Sequence, residues 1–243
     1  MTESEWRGCQ TKPAKLFHFI KHKTSSRKVQ LISCGVCGLL NHNKTRDILR
    51  QAIHALERLA EDNITEAKFV DARTLALNMV RGLYVDVGSG LNSNYISTAS
   101  FSIAAAMNPD IRGGCSAAIY HVQDGIKRLA KVGEKHIEAQ RIARQICAVI
   151  HEVIGNPFQK WSRTAPWSEG GLIQPDGRTV ALTDTVRGLA ETIHQLQAFD
   201  RLPILADALE EAGITDIALL AHCRSEQPHI RGCWALDVVR GKT

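Results

Sequence analysis

Apolar residues recur along this chain mostly at intervals of three and four, so the pattern predicts helices nearly throughout. After Ser26, a residue suited to an N-cap, the stripe Val29, Ile32, Val36 and Leu39/Leu40 predicts one helix. Leu49, Ala52, Ile53, Leu56 and Ala60 repeat the pattern after Thr45, and Phe69, Ala72, Ala76, Met79, Val80 and Leu83 repeat it after Thr65. The polar Gly/Ser/Asn segment at 88–94 ends that third helix. Over 115–154 the spacing of Ile119, Val122, Ile126, Leu129 and then Ile142, Ile146, Val149, Val153 gives two amphipathic helices or one kinked helix, joined at Gly133. Gly155 is placed to cap the end, and Asn156-Pro157 prevents continuation.

Residues 156–182 break the pattern with Pro157, Pro166 and Pro175, two tryptophans and the turn signature Pro175-Asp176-Gly177, which predicts a short hairpin near 172–182. Two more helices follow, on Val186, Leu189, Ile193, Leu196 and on Leu202, Leu205, Leu209, the second ending at Gly213, and a short one reaches His222. The expectation is an all-α protein: an N-terminal helical bundle over 1–155, an irregular linker or loop over 156–182, and a small C-terminal helical subdomain over 183–243 docked on the first. No fixed repeat emerges, and stacked helix pairs remain compatible with the pattern.

A chain of 243 residues, 44% hydrophobic and 23% charged, has the composition of an ordinary globular protein, which excludes disordered and collagen-like classes. Its net charge of +5 is unevenly distributed: residues 1–50 hold ten Lys/Arg against three Asp/Glu. Lys21, Lys23, Arg27 and Lys28 fall within this excess, yet no nucleic-acid motif or aromatic interleaving accompanies it. A solvated basic face, or one answered by acids elsewhere in the fold, is expected, and nucleic acid is not expected as a partner. The opening MTESEWRGCQ lacks the basic start and apolar run of a signal peptide, and the longest uncharged stretch is broken by Gly, Ser and Asn. No membrane association is therefore expected. Seven cysteines without an export signal suggest reduced thiols in a cytoplasm.

Thiols and imidazoles cluster at two places. Cys34-x2-Cys37 lies on a predicted helix, where three residues of spacing leave the side chains about 60° apart and able to face one point. His42 joins that face only if the helix ends near Asn41. The second cluster is His222, Cys223, His229 and Cys233, in a Pro/Gly-containing segment able to loop around an ion. These are zinc donors, so Cys34, Cys37, His222, Cys223, His229 and Cys233 are the candidate metal ligands, and zinc the candidate cofactor. Ordinary packing is the competing reading for every thiol, and the expected one for Cys9, Cys115 and Cys147. His229, Cys233 and Asp237 could alternatively form a thiol site, the histidine acting as base and Asp237 or Asp200 orienting it. His18 and His22 have helical ligand spacing but lack the zinc-protease glutamate, so a solvated face is the reading there. His151-Glu152 and His194 read as isolated helix positions. No Gly-rich phosphate loop is complete.

The MTESEW start, the SRKVQLISCGVC helix, Gly155-Asn156-Pro157-Phe158 and the C-terminal FDRLPILADALEEAG and HCRSEQPHIRGCWALDVVRGK resemble a large family of uncharacterised bacterial proteins. The resemblance covers both ends and about half the chain, and it implies no particular activity. In that family the cysteines often continue into Arg-Arg-x-Trp-His, where this chain reads Gly38, Leu39, Leu40, Asn41, His42.

The leading functional expectation is a helical binding or interaction module whose ends are tied by metal, with a protein or a small anionic molecule as partner. The alternative is a metal- or thiol-dependent hydrolase of esters or phosphoesters with its site at the C-terminal His/Cys cluster. A structural ion is closed by four protein ligands, whereas a catalytic one keeps an open position. Docking of the two ends places Cys37 near residues 229–233.

Overall fold

The computed structural model describes residues 1–40, 46–61, 93–131, 133–163 and 171–242, together with residues 70, 74 and 78. The expected helix after Thr65, residues 88–92 of the expected break, His42 and Pro166 lie outside the described residues, except that Val70, Thr74 and Asn78 are helical; Ser93 and Asn94, read as part of that break, instead open a helix. Helices dominate, so the all-α expectation holds, and the chain forms two units, Met1–His151 and Glu152–Thr243.

In the first unit, α1 (Glu3–Gly8) begins with a reciprocal capping box between Thr2 and Glu5 and buries Trp6. α2 (Pro13–Ile20) starts with Pro and buries Leu16, Phe17 and Ile20. Its end at Ile20 leaves His22 outside the helix, so His18 and His22 do not share a helical face. α3 (Ser26–Gly38) is capped by Ser25, whose hydroxyl accepts from the Lys28 amide at 3.3 Å, one residue earlier than the pattern suggested. α4 (Arg46–Glu61), α5 (Ser93–Ala106) and α6 (Ile111–Leu129) all pack on α3. With neighbours on several sides, α3 buries more than its apolar stripe: Lys28, Gln30, Ser33, Cys34 and Cys37 are buried too. Gln30 satisfies its amide by donating to the Ala106 carbonyl at 2.8 Å.

Part of the basic N-terminal excess is neutralised within this unit. Arg27 reaches Glu61 at 2.7 Å, Lys15 reaches Glu5 at 3.5 Å, and the Lys23 ammonium sits 3.7 Å above the Phe19 ring. After α6, Gly133 turns the chain with φ 99°, and α7 (Lys135–Ile154) follows, so the ambiguity over 115–154 resolves into two helices. The unit boundary falls within α7, between His151 and Glu152. Among the described residues, no helix is long and apolar enough to cross a membrane.

The second unit opens with three short antiparallel strands in the order β1 (Ser162–Arg163), β2 (Gly171–Ile173), β3 (Thr179–Ala181). The expected hairpin is β2–β3, with Leu172 opposite Val180 and the turn at Pro175-Asp176-Gly177, where Gly177 supplies φ 88°. β1 is an addition that two residues of sequence cannot signal. Leu172, Val180 and Leu182 enter the same core as Val186, Ile193, Leu205, Leu209, Leu219 and Leu236, so the hairpin is part of the unit's packing.

Four helices complete that core: α8 (Asp184–Leu196), α9 (Leu202–Glu211), α10 (Ile217–Cys223) and α11 (Trp234–Arg240). Thr183 caps α8 through the Val186 amide at 3.2 Å, and the helix stops at Gln197 in the left-handed region; Leu196, its last residue, is exposed despite its apolar spacing. α11 has only seven residues, too few for a readable period.

Candidate metal centre

Four pieces of the second unit bring four donor side chains together. Glu152 stands near the end of α7, one turn before Gly155 takes φ 68° and ends the helical path. α10 delivers His222. Its start is fixed twice: the Asp216 carboxylate accepts from the Leu219 amide at 2.8 Å, and the buried Gln174 carbonyl accepts from the Thr215 and Asp216 amides at 3.0 and 3.1 Å. The turn of the β2–β3 hairpin thereby holds the helix that carries a candidate ligand. His229 comes from the connection after α10, and Cys233 immediately precedes α11, following Gly232 with φ 92°.

One donor atom from each of Glu152, His222, His229 and Cys233 lies within 4.8 Å of every other, an arrangement that can hold a metal ion. His229 Nδ1 is 3.0 Å from Glu152 Oε1, and His222 Nε2 is 3.3 Å from Glu152 Oε2. His222 Nε2 is also 3.2 Å from Cys233 Sγ, which in turn lies 4.0 Å from His229 Nδ1. A tetrahedron built with ordinary zinc bond lengths has donor–donor edges of roughly 3.3–3.6 Å; with one oxygen from Glu152 the four donors spread to 4.8 Å, so closing on an ion needs a small inward shift of the side chains. Hydrogen bonding alone explains the short distances less completely. His222 Nε2 carries at most one hydrogen yet approaches a carboxylate oxygen and a sulfur equally closely.

The site is largely withdrawn from water: the side chains of Glu152, His229 and His222 keep 8%, 6% and 18% of their exposure, and Cys233 keeps none. The His222 ring meets the His229 ring edge-on at 4.9 Å and leans on the Trp234 indole at 5.0 Å. Ser225 Oγ lies 3.4 Å from His229 Nε2, the ring nitrogen facing away from the cluster.

Charge states in the metal-free protein follow from these contacts. Burial works against an ionised Glu152, but hydrogen bonds from His222 and His229 outweigh it and hold the carboxyl below its usual range. Burial likewise works against a charged His229, and its bond to the Glu152 carboxylate outweighs that and raises its pKa. Burial and the nearby Glu152 charge push the Cys233 thiol well up, so without a cation it keeps its proton.

The candidate residues read from sequence separate accordingly. His222, His229 and Cys233 converge. Cys223 is fully buried beside them but is not one of the four donors, and burial drives its thiol to about 12. Asp237 is buried with its carboxylate 3.8 Å from Arg240, and Asp200 is exposed in a 3-10 turn (Phe199–Arg201). The carboxylate on His229 is Glu152, a residue 77 positions away that sequence reading treated as isolated. Only its place one turn before a helix-ending Gly-Asn-Pro could have drawn notice. Cys34 and Cys37 lie on α3 in the first unit, buried near Cys115, and burial pushes Cys37 and Cys115 to about 12. Comparison with protein-family models, curated proteins and solved structures found no match to this chain.

Proposed function

We propose that this protein is a helical binding or interaction module whose second unit is fastened by one structural metal ion on Glu152, His222, His229 and Cys233. The observation that carries this reading is the convergence of four donors of three kinds from the end of α7, α10, the following connection and the start of α11. Binding there joins positions 77 residues apart, and because an ordered site exists only in the folded chain, the ion's affinity adds to folding stability. Four protein donors fill a tetrahedral ion, which supports a structural role over a hydrolytic one, since hydrolysis requires an open position for water or substrate.

Metal analysis of the purified full chain tests the reading. One equivalent of a divalent transition ion is expected, and chelator should lower the melting temperature of the second unit. A protein that neither retains nor takes up an ion, and melts identically with and without chelator, would overturn it.

A further inference from the structure

Resting on that fastening role, the geometry points to a tetrahedral zinc-class divalent ion bound through the Cys233 thiolate, with the ion's charge cancelled by Glu152 and Cys233. Carboxylate and thiolate supply two negative charges and the imidazoles none, so only a divalent ion leaves this buried site neutral. A monovalent ion would leave one negative charge among side chains with almost no access to water, and a trivalent ion one positive charge. Either is costly where hydration cannot compensate.

The donor set narrows the choice further. One sulfur and two imidazole nitrogens favour borderline and softer ions such as zinc, cobalt(II) and cadmium, whereas calcium and magnesium require six or more oxygens. Four donors, with no fifth or sixth protein donor among the described residues, suit the four-coordinate preference of zinc better than the tetragonal preference of copper(II).

The proton balance is explicit. On binding, the Cys233 S–H bond breaks and its proton leaves to solvent as a sulfur–metal bond forms. The hydrogens that His222 Nε2 and His229 Nδ1 donate to Glu152 in the metal-free protein leave those atoms, to solvent or to the other nitrogen of the same ring, as nitrogen–metal bonds replace them. His222 offers Nε2 and His229 offers Nδ1, so His229 keeps its remaining proton on Nε2, where Ser225 Oγ accepts it at 3.4 Å.

The test uses the full chain, stripped with chelator and titrated with cobalt(II). We expect saturation at one equivalent, strong visible bands of four-coordinate cobalt, and a near-ultraviolet sulfur-to-cobalt charge-transfer band. Stoichiometric zinc should abolish all of them, and a large excess of magnesium or calcium should leave them in place. C233S should lose the charge-transfer band. Should that variant fail to fold, the wild-type spectrum and its displacement by zinc decide alone. A weak six-coordinate spectrum without the sulfur band, or displacement by calcium or magnesium, would overturn this assignment while leaving a chelator-sensitive structural ion standing. Absence of any bound ion would remove both.

Discussion

Gly155 is where the second unit should be most sensitive to a single added methyl group. It takes φ 68° directly after α7, and a Cβ built there would lie 2.7 Å from Cγ and Cδ2 of the Trp234 ring and 3.2 Å from Trp234 Cβ. Two costs therefore combine in Gly155→Ala. An L-residue in the left-handed region costs about 1–2 kcal/mol, and forcing the indole back from a contact well inside the normal carbon separation costs about 1–3 kcal/mol. Together they predict a loss of about 2–5 kcal/mol from the second unit. The ring's retreat should also weaken metal binding at the proposed site, because Trp234 follows the candidate ligand Cys233 and packs 5.0 Å from the His222 ring.

Urea unfolding of the full chain, metal-loaded and chelated, measures the loss. Gly177→Ala is the control, since Gly177 has φ 88° with open space where a Cβ would sit, so it should show the backbone cost alone. In a Trp234→Ala background the ring contacts vanish and only the 3.2 Å contact with Cβ stays, so the cost of Gly155→Ala should fall toward that level, giving a coupling of about 1–3 kcal/mol. If Gly155→Ala costs no more than Gly177→Ala, or costs the same in both Trp234 backgrounds, the close-approach argument is refuted.

Chelated protein should lose stability of the second unit as pH rises above about 6.5, because the raised pKa of His229 makes its contribution complete below the ordinary imidazole value of about 6.5 and lost above its raised one. The Glu152 contribution, from a lowered pKa, should instead vanish as pH falls below the ordinary carboxyl range, and metal-loaded protein should gain stability with rising pH between about 5 and 7 as the ligands release protons. Melting curves spanning all three pH windows check the three signs, and identical profiles with and without metal would contradict them. Asp216→Ala removes the N-cap of the helix carrying His222 and should cost about 1 kcal/mol in urea unfolding, with no loss arguing against the cap. Cys37→Ser places a hydroxyl at a fully buried position and should cost about 1–3 kcal/mol in the first unit whether or not chelator is present; a chelator-dependent cost would make Cys37 a ligand.

Much of the architecture was legible because helix formation is signalled locally. Val29, Ile32 and Val36, Ala52 and Leu56, and Leu202, Leu205 and Leu209 all repeat with the helical period and are all buried. Gly133, Gly155 and Gly177 mark turns that need positive φ, and each has it. Three of the four donors were visible as well, since thiols and imidazoles concentrated over a few residues advertise a metal site whatever the fold.

Tertiary structure decided what depends on partners distant in sequence. The pattern shows which face of α3 is apolar, but not that α4, α5 and α6 surround it and bury Lys28 and Gln30 as well. It shows Leu196 in phase with its helix, but not that the backbone turns left-handed at Gln197 or that the Leu196 side chain stays in water. It offered Asp237 or Asp200 to orient His229 and read Glu152 as an isolated helix position. Packing brought Glu152 to 3.0 Å across 77 residues instead. Periodicity records the local cost of forming a helix and the side it hides, whereas a coordination site is defined by which helices meet, and that choice rests on the summed burial of the whole core.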